Sequence, residues 1–253
     1  MRNLRPRLAN PALGCKLRHQ FVPYPQVHSP LLTLIRAEER LHVKIADPKG
    51  ERYQVPEFTL PRPTPSKNGN AHNTSELVFK LHQDPFAFTV SRKSTGEKLF
   101  DTAGNAFVFE EQYLRLAINL NPDPNIYGLG EHTENFRLPN RNLTRTLWNR
   151  DAYGVPEHTN LYGAHPIYFE QRKSGTHGVF LLSSNGMDVK LDGDRTGSKL
   201  EYNVIGGILD FYFLAGPTPK EVAQQYAAVV GKAAIPAYWG LGKALCGSLN
   251  HGS

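Results

Sequence analysis

Along much of the chain, apolar and polar residues alternate one for one. Leu41, Val43 and Ile45 alternate with His42 and Lys44, and Phe86, Phe88 and Val90 with Ala87 and Thr89. The same pattern runs through Leu114, Leu116, Ile118 and Leu120, through Met187, Val189 and Leu191, and through Leu200, Tyr202 and Val204. A period of two places one set on a core face and the other toward water, so each segment is a predicted strand in a sheet packed on one side. Two further runs, Val179–Leu182 and Ile208–Leu214, are apolar on both faces and suit central strands of a sandwich. The predicted fold class is mainly β, an antiparallel β-sandwich.

Turn chemistry separates these segments. "ADPKGE" at 46–51 and "LDGDRTG" at 191–197 read as hairpin connections, with glycine supplying positive φ. "PRPTPSKNGNAHNTS" at 61–75 is a polar, proline-rich surface excursion. One helix is expected, over 218–231. Thr218 and Glu221 have capping-box spacing, Pro219 fits the first helical position, and Gly231 closes it. Val222, Tyr226, Val229 and Val230 form its apolar stripe. After Pro236, Tyr238-Trp239-Gly240-Leu241 reads like the opening of a buried strand.

Composition changes this picture little. A chain of 253 residues, 40% of them hydrophobic, can build a sizeable core. The formal charge of +6 suggests nucleic acid until its distribution is read. Arg2, Arg5, Arg7, Lys16 and Arg18 give residues 1–30 a charge of +5, leaving +1 for everything after. The folded part is near neutral and lacks the basic surface that phosphate backbones require. Residues 1–30 carry no apolar core of a secretory signal, and five prolines argue against a targeting helix; the expectation is a disordered tail. Cys15 and Cys246, one at each extremity, form no disulfide framework. Asn73-Thr74-Ser75 and Asn142-Leu143-Thr144 are candidate N-glycosylation sites.

The candidate chemistry is sparse. Gly128-x-Gly130 lacks the third glycine of a dinucleotide fingerprint, since position 133 is Thr133, and the chain lacks a βαβ setting. No nucleotide or other cofactor is expected, and the glycines are read as permitting a tight backbone path. Glu131 and His132 invite a metal reading, but His158, His165 and His177 do not fall at ligand spacings on one element, so no metal is expected either. Asp151, inside "LWNRDAYGVPEH", is the most notable acid: Trp148 and Tyr153 lie nearby, and sugars bind through aromatic faces plus a few placed polar groups. The competing reading packs Trp148 into the core and pairs Asp151 with Arg150 or uses it to cap a turn. Composition leaves both open.

Longer blocks carry a resemblance. "NIYGLGEHTENFRL", "LWNRDAYGVPEHTNLYGAHPIYFE", "HGVFLLSSNGMDVKL" and "GGILDFYFLAGPTPKEVAQQYAAVVGKAAIPAYWGLG", in this order, resemble the alpha-glucosidases of glycoside hydrolase family thirty-one, and "RLHVKIADPKGERYQVPEF" resembles the early region of their fungal secreted members. The resemblance covers roughly residues 31–246. It implies a galactose-mutarotase-like sandwich over 31–217, a connecting helix over 218–231, and, from 232, the first strand of a catalytic (β/α)8 barrel broken off at Cys246 before an unrelated tail. The family's nucleophile and acid/base aspartates lie on later barrel strands, and no position here corresponds to them, so no catalytic residue is assigned. The family's sandwich loop that reaches over the barrel mouth matches Asn149-Arg150-Asp151, which makes Asp151 a substrate-binding residue. The implied function is the non-catalytic N-terminal domain of a retaining alpha-glucosidase, inactive alone. Its implied partners are an alpha-glucoside or maltooligosaccharide in a shared site and a catalytic barrel, outside the cell. The alternatives are a stand-alone carbohydrate-binding module or one subunit of a two-chain glucosidase.

Overall fold

The computed structural model describes residues 13–16, 30–62, 74–151, 154–194 and 196–241. Among them, three antiparallel sheets carry the fold. The largest has, in spatial order, β1 (Leu13–Lys16), β2 (Leu31–Arg36), β3 (Arg40–Ala46), β15 (Leu209–Leu214), β12 (Gly175–Leu181), β11 (Ile167–Arg172) and β9 (Asn125–Gly128). The second has β10 (Leu143–Leu147), β13 (Met187–Gly193), β14 (Ser198–Val204), β8 (Leu114–Leu120) and β7 (Val108–Phe109). A smaller one joins β4 (Leu77–Gln83), β5 (Phe86–Arg92) and β6 (Lys98–Asp101). This is the expected mainly β, antiparallel sandwich. β1 falls within the basic segment 1–30, so part of that segment extends the large sheet by pairing with β2.

The inner faces interlock through side chains that the period of two selected. Leu41, Val43 and Ile45 of β3 lie beside Phe213, Phe211 and Leu209 of β15, and Phe213 and Phe211 are flanked on the other side by Val179 and Leu181 of β12. The second sheet contributes Leu116, Ile118, Val189, Leu200 and Tyr202. Phe88 and Phe100 of the small sheet stack at 5.3 Å, and Phe100 meets the edge of Phe213 at 4.9 Å, so the small sheet shares the same core. The outer face of the large sheet is also covered. Phe180, Leu182, Tyr212 and Leu214 lie under Val222 and Val229 of the helix α1 (Pro219–Val230). This second cover explains why β12 and β15 are apolar on both faces.

The ends of α1 follow the sequence. Thr218 and Glu221 close a capping box, Pro219 starts the helix, and Gly231 ends it at φ 88°. Val222 descends onto Gly178 of β12, where a Cβ would stand only 2.6 Å from its Cγ1. Gln225, also buried, exchanges 3.0 Å hydrogen bonds with the backbone N–H and C=O of Gly216.

Three expectations differ from the structure. Residues 46–51 form a turn but no hairpin. The Asp47 carboxylate accepts the N–H groups of Glu51 and Arg52, at 2.7 and 3.2 Å, and the chain then crosses the outer face as a strap. Val55 and Leu60 pack there, and Arg62 donates to the carbonyls of Val55 and Leu60, each at 2.5 Å. β3 is already paired on both edges, by β2 and β15, and has no side left for a hairpin partner. The second difference is Tyr238–Leu241, a 3-10 turn closed by Gly240 N–H to the Ala237 carbonyl at 2.8 Å. No described strand pairs with it, and an extended segment without a paired edge gains nothing from extension. The 191–197 hairpin does join β13 to β14, but the Asp194 carboxylate makes the turn, accepting from Thr196 and Gly197; neither Gly193 nor Gly197 has a positive φ.

Candidate functional site

Asp151 stands in a loop built outward from the edge of the large sheet. After β9 the chain runs through Gly128, whose φ is 108° and whose Cα lies against the backbone of Ile167, leaving no room for a side chain. That is the tight path expected there. Beyond it, residues 129–133 become a scaffold for the segment 148–165. Leu129 N–H donates to Ile167 C=O at 2.9 Å, His165 N–H to Gly130 C=O at 2.8 Å, and Glu131 N–H to Gly163 C=O at 3.0 Å. Leu161 N–H returns to Glu131 C=O at 3.2 Å, and Arg150 N–H donates to Leu161 C=O at 3.0 Å. Thr133 adds a hydroxyl bond to the Pro156 carbonyl at 2.8 Å.

Side chains tighten the same loop. The Glu131 carboxylate accepts Gly163 N–H at 2.8 Å. Asn160 donates to the Trp148 carbonyl, and Arg145 to Glu134. Arg145 is buried, and its guanidinium holds the Glu134 carboxyl below the usual range. His132 Nε2–H donates to the Thr146 carbonyl at 3.1 Å, while burial, with Arg145 nearby, pushes its imidazole down.

Trp148 does not enter the core: it is 57% exposed and lies across Gly186 at the surface. Asp151 is exposed, and among the described residues no ion pair joins it to Arg150, whose guanidinium donates to the Thr159 hydroxyl at 3.3 Å. Instead, the exposed Tyr162 phenol hydrogen-bonds the Asp151 carboxylate, which holds its pKa above that of an ordinary tyrosine. Around Asp151 the loop therefore presents its carboxylate, the guanidinium of Arg150 and two exposed ring systems, Trp148 and Tyr162. Such a surface suits neutral polyols, which offer hydroxyls to a carboxylate and C–H faces to rings. Tyr153 and Asn73 lie outside the described residues, as does Cys246. Asn142 is exposed in the turn entering β10. Among the described residues, no group of three or more His, Cys, Asp or Glu side chains is arranged to hold a metal ion. Gly163 and Tyr162 were not singled out by sequence, and Glu131 drew attention there only as half of a metal reading; the hint to a loop role was their position in the glycine-rich and aromatic blocks.

The described residues thus form an antiparallel sandwich of two large sheets and one small one, with a helix against one outer face and an exposed carboxylate on a loop beside it. Residues 34–189 match the glycosyl hydrolase 31 N-terminal galactose mutarotase-like domain, and the chain belongs to that family. It is 56% identical over 215 residues to a probable alpha/beta-glucosidase of Arthroderma benhamiae, covering 83% of this chain and 25% of the relative. It is 44% identical over 235 residues to a probable alpha-glucosidase of Oryza sativa, covering 85% and 26%. The chain thus spans about a quarter of the length of these relatives. Among solved structures, a GH31 dextranase of Flavobacterium johnsoniae complexed with glucose superposes with a TM-score of 0.66 at 21% identity, over 84% of this chain and 27% of that one. The endoplasmic-reticulum glucosidase II heterodimer gives 0.68 at 15% identity, over 89% and 33%. At these identities the structural likeness establishes the fold.

Proposed function

We propose that this sandwich serves a retaining alpha-glucosidase as its non-catalytic N-terminal domain, and that Asp151 contacts the non-reducing sugar of an alpha-glucoside or maltooligosaccharide. The observation that carries the reading is the family match over 34–189, which contains the Asn149-Arg150-Asp151 loop. Retaining chemistry needs two carboxyls about 5–5.5 Å apart, and in the resemblance both belong to a barrel outside this sandwich. On this reading residues 232–241 lead toward that barrel, whose wall completes the sugar site. Asn142 serves as a glycan acceptor, and the enzyme works outside the cell. No described helix is long and apolar enough to cross a membrane.

The test joins residues 1–241 in frame to the remaining length of the Arthroderma benhamiae relative and measures maltose hydrolysis. The unfused chain turns over no maltose. The fused enzyme does, and Asp151→Ala raises its KM by about tenfold or more, as expected for loss of a charged hydrogen bond. A fused enzyme without activity, or an unchanged KM in the variant, overturns the reading.

A further inference from the structure

Among the bonds that hold the loop displaying Asp151, one side-chain bond comes from an acid on the neighbouring segment. Glu131 meets the strand-like run 161–163 three times: its N–H donates to Gly163 C=O at 3.0 Å, its C=O accepts from Leu161 at 3.2 Å, and its carboxylate accepts from Gly163 N–H at 2.8 Å. Two of these bonds are backbone pairings that any residue at 131 would make. The third needs a side-chain acceptor. It satisfies the Gly163 N–H, which is donor to no backbone carbonyl in that pairing.

Gly163 is shaped to receive it. A Cβ there would lie 2.9 Å from Glu131 Cδ and 2.8 Å from His165 Nε2, so the carboxylate and the imidazole close over the space a side chain would need. From this clamp the path to Asp151 is short on both sides. Leu161 C=O holds Arg150 N–H at 3.0 Å, fixing the residue before Asp151, and Tyr162, between Leu161 and Gly163, hydrogen-bonds the Asp151 carboxylate itself.

We propose that Glu131 is a positioning residue: by closing on Gly163 N–H it fixes the 161–163 run, and through it sets the place of Asp151 for the sugar. The inference rests on the sugar-contact reading of Asp151. Glu131 touches no sugar on this account; it removes alternative loop geometries, so the contact forms without first ordering the loop.

The fused enzyme described above tests it, with kcat and KM for maltose measured separately. Glu131→Ala raises KM to about the level of Asp151→Ala, roughly tenfold by the same hydrogen-bond estimate, and changes kcat much less. The double variant is no worse than Asp151→Ala alone, because both act through one contact. Glu131→Gln, whose amide oxygen still accepts from Gly163, restores most of the affinity. Amide hydrogen exchange on the 253-residue chain reads the clamp independently of turnover: Glu131→Ala speeds exchange at Gly163 and Arg150, Glu131→Gln does not, and core strand β14 stays protected in both. If Asp151→Ala raises KM while Glu131→Ala does not, or if Arg150 exchange is unmoved, the positioning role is wrong and the Asp151 contact stands. If Asp151→Ala leaves KM unchanged, the sugar contact fails and this role fails with it.

Discussion

At the scale of single residues, the most exacting position is the interior histidine. His177, on β12, is fully buried; burial, then Arg172 and Arg92, push its imidazole well below the usual value. Its Nε2 lies 3.5 Å from Glu170 Oε2, and Glu170 is already gripped by Arg172 through two 2.8 Å bonds. A histidine whose folded pKa is depressed costs nothing above its unfolded value near 6.5 and costs stability progressively as pH falls below it. Glu170 is raised by burial against the pull of Arg172, so its contribution has the opposite sign, favouring the folded state in acid. Comparison with His177→Phe separates the two, because Glu170 is present in both proteins. Between pH 6.5 and about 5 the wild type is expected to lose up to about 2 kcal/mol more than His177→Phe. Thermal unfolding across that range measures it; parallel stability curves would show that His177 does not bear the charge.

At the scale of elements, α1 shows how far sequence reaches. Its cap, start, stripe and stop are all local signals, and the structure keeps each of them. Thr218→Ala is expected to cost about 1 kcal/mol, the usual loss for a cap. Val222→Ala removes the side chain seated on Gly178 between helix and sheet and is expected to cost about 2–3 kcal/mol, somewhat under the range for larger aliphatics. Chemical denaturation of both variants checks the order; a larger loss for Thr218→Ala would mean the helix is held by its end more than by its face. The strands with clean alternation, at β3, β5, β8, β13 and β14, were equally legible. β1, β2, β4, β6, β7, β9, β10 and β11 were not read: four of them have four residues or fewer, and β4 is mixed on both faces. The strap over 51–62 was illegible for a different reason. His42 bonds Asp210, and Arg62 approaches the same carboxylate at 3.9 Å, but His42 and Asp210 are 168 residues apart in sequence. The site divides in the same way. Asp151 was found through its neighbours in sequence, whereas Glu131 acts on Gly163 across a separation of 32 residues that no local pattern spans.

For the whole molecule, the segment beyond α1 is exposed at every position from 231 to 241. Ile235, Tyr238 and Trp239 are 94%, 90% and 87% exposed, next to one another beyond α1. Contiguous apolar exposure of this kind favours association. The isolated chain is therefore expected to self-associate with rising concentration, and the double substitution Tyr238→Ser with Trp239→Ser to shift it toward monomer without lowering the thermal midpoint. Sedimentation velocity over a concentration series decides it: identical behaviour of the two proteins would show that these rings are not the adhesive surface.

The strand order has a further bearing on how the protein is made. β15 sits in the middle of the largest sheet, between β3 and β12, yet it is the last strand of that sheet to be synthesised. The β2–β3 hairpin and the β11–β12 hairpin each leave the ribosome with one edge bare, and they share no neighbour until residues 209–214 arrive. Until then, two sets of unpaired backbone groups wait at the edges where nascent chains stick to one another. The domain is therefore completed like an arch, from both abutments toward a keystone delivered late: β3 keeps a bare edge from residue 46, and β12 from residue 181, until residues 209–214 arrive.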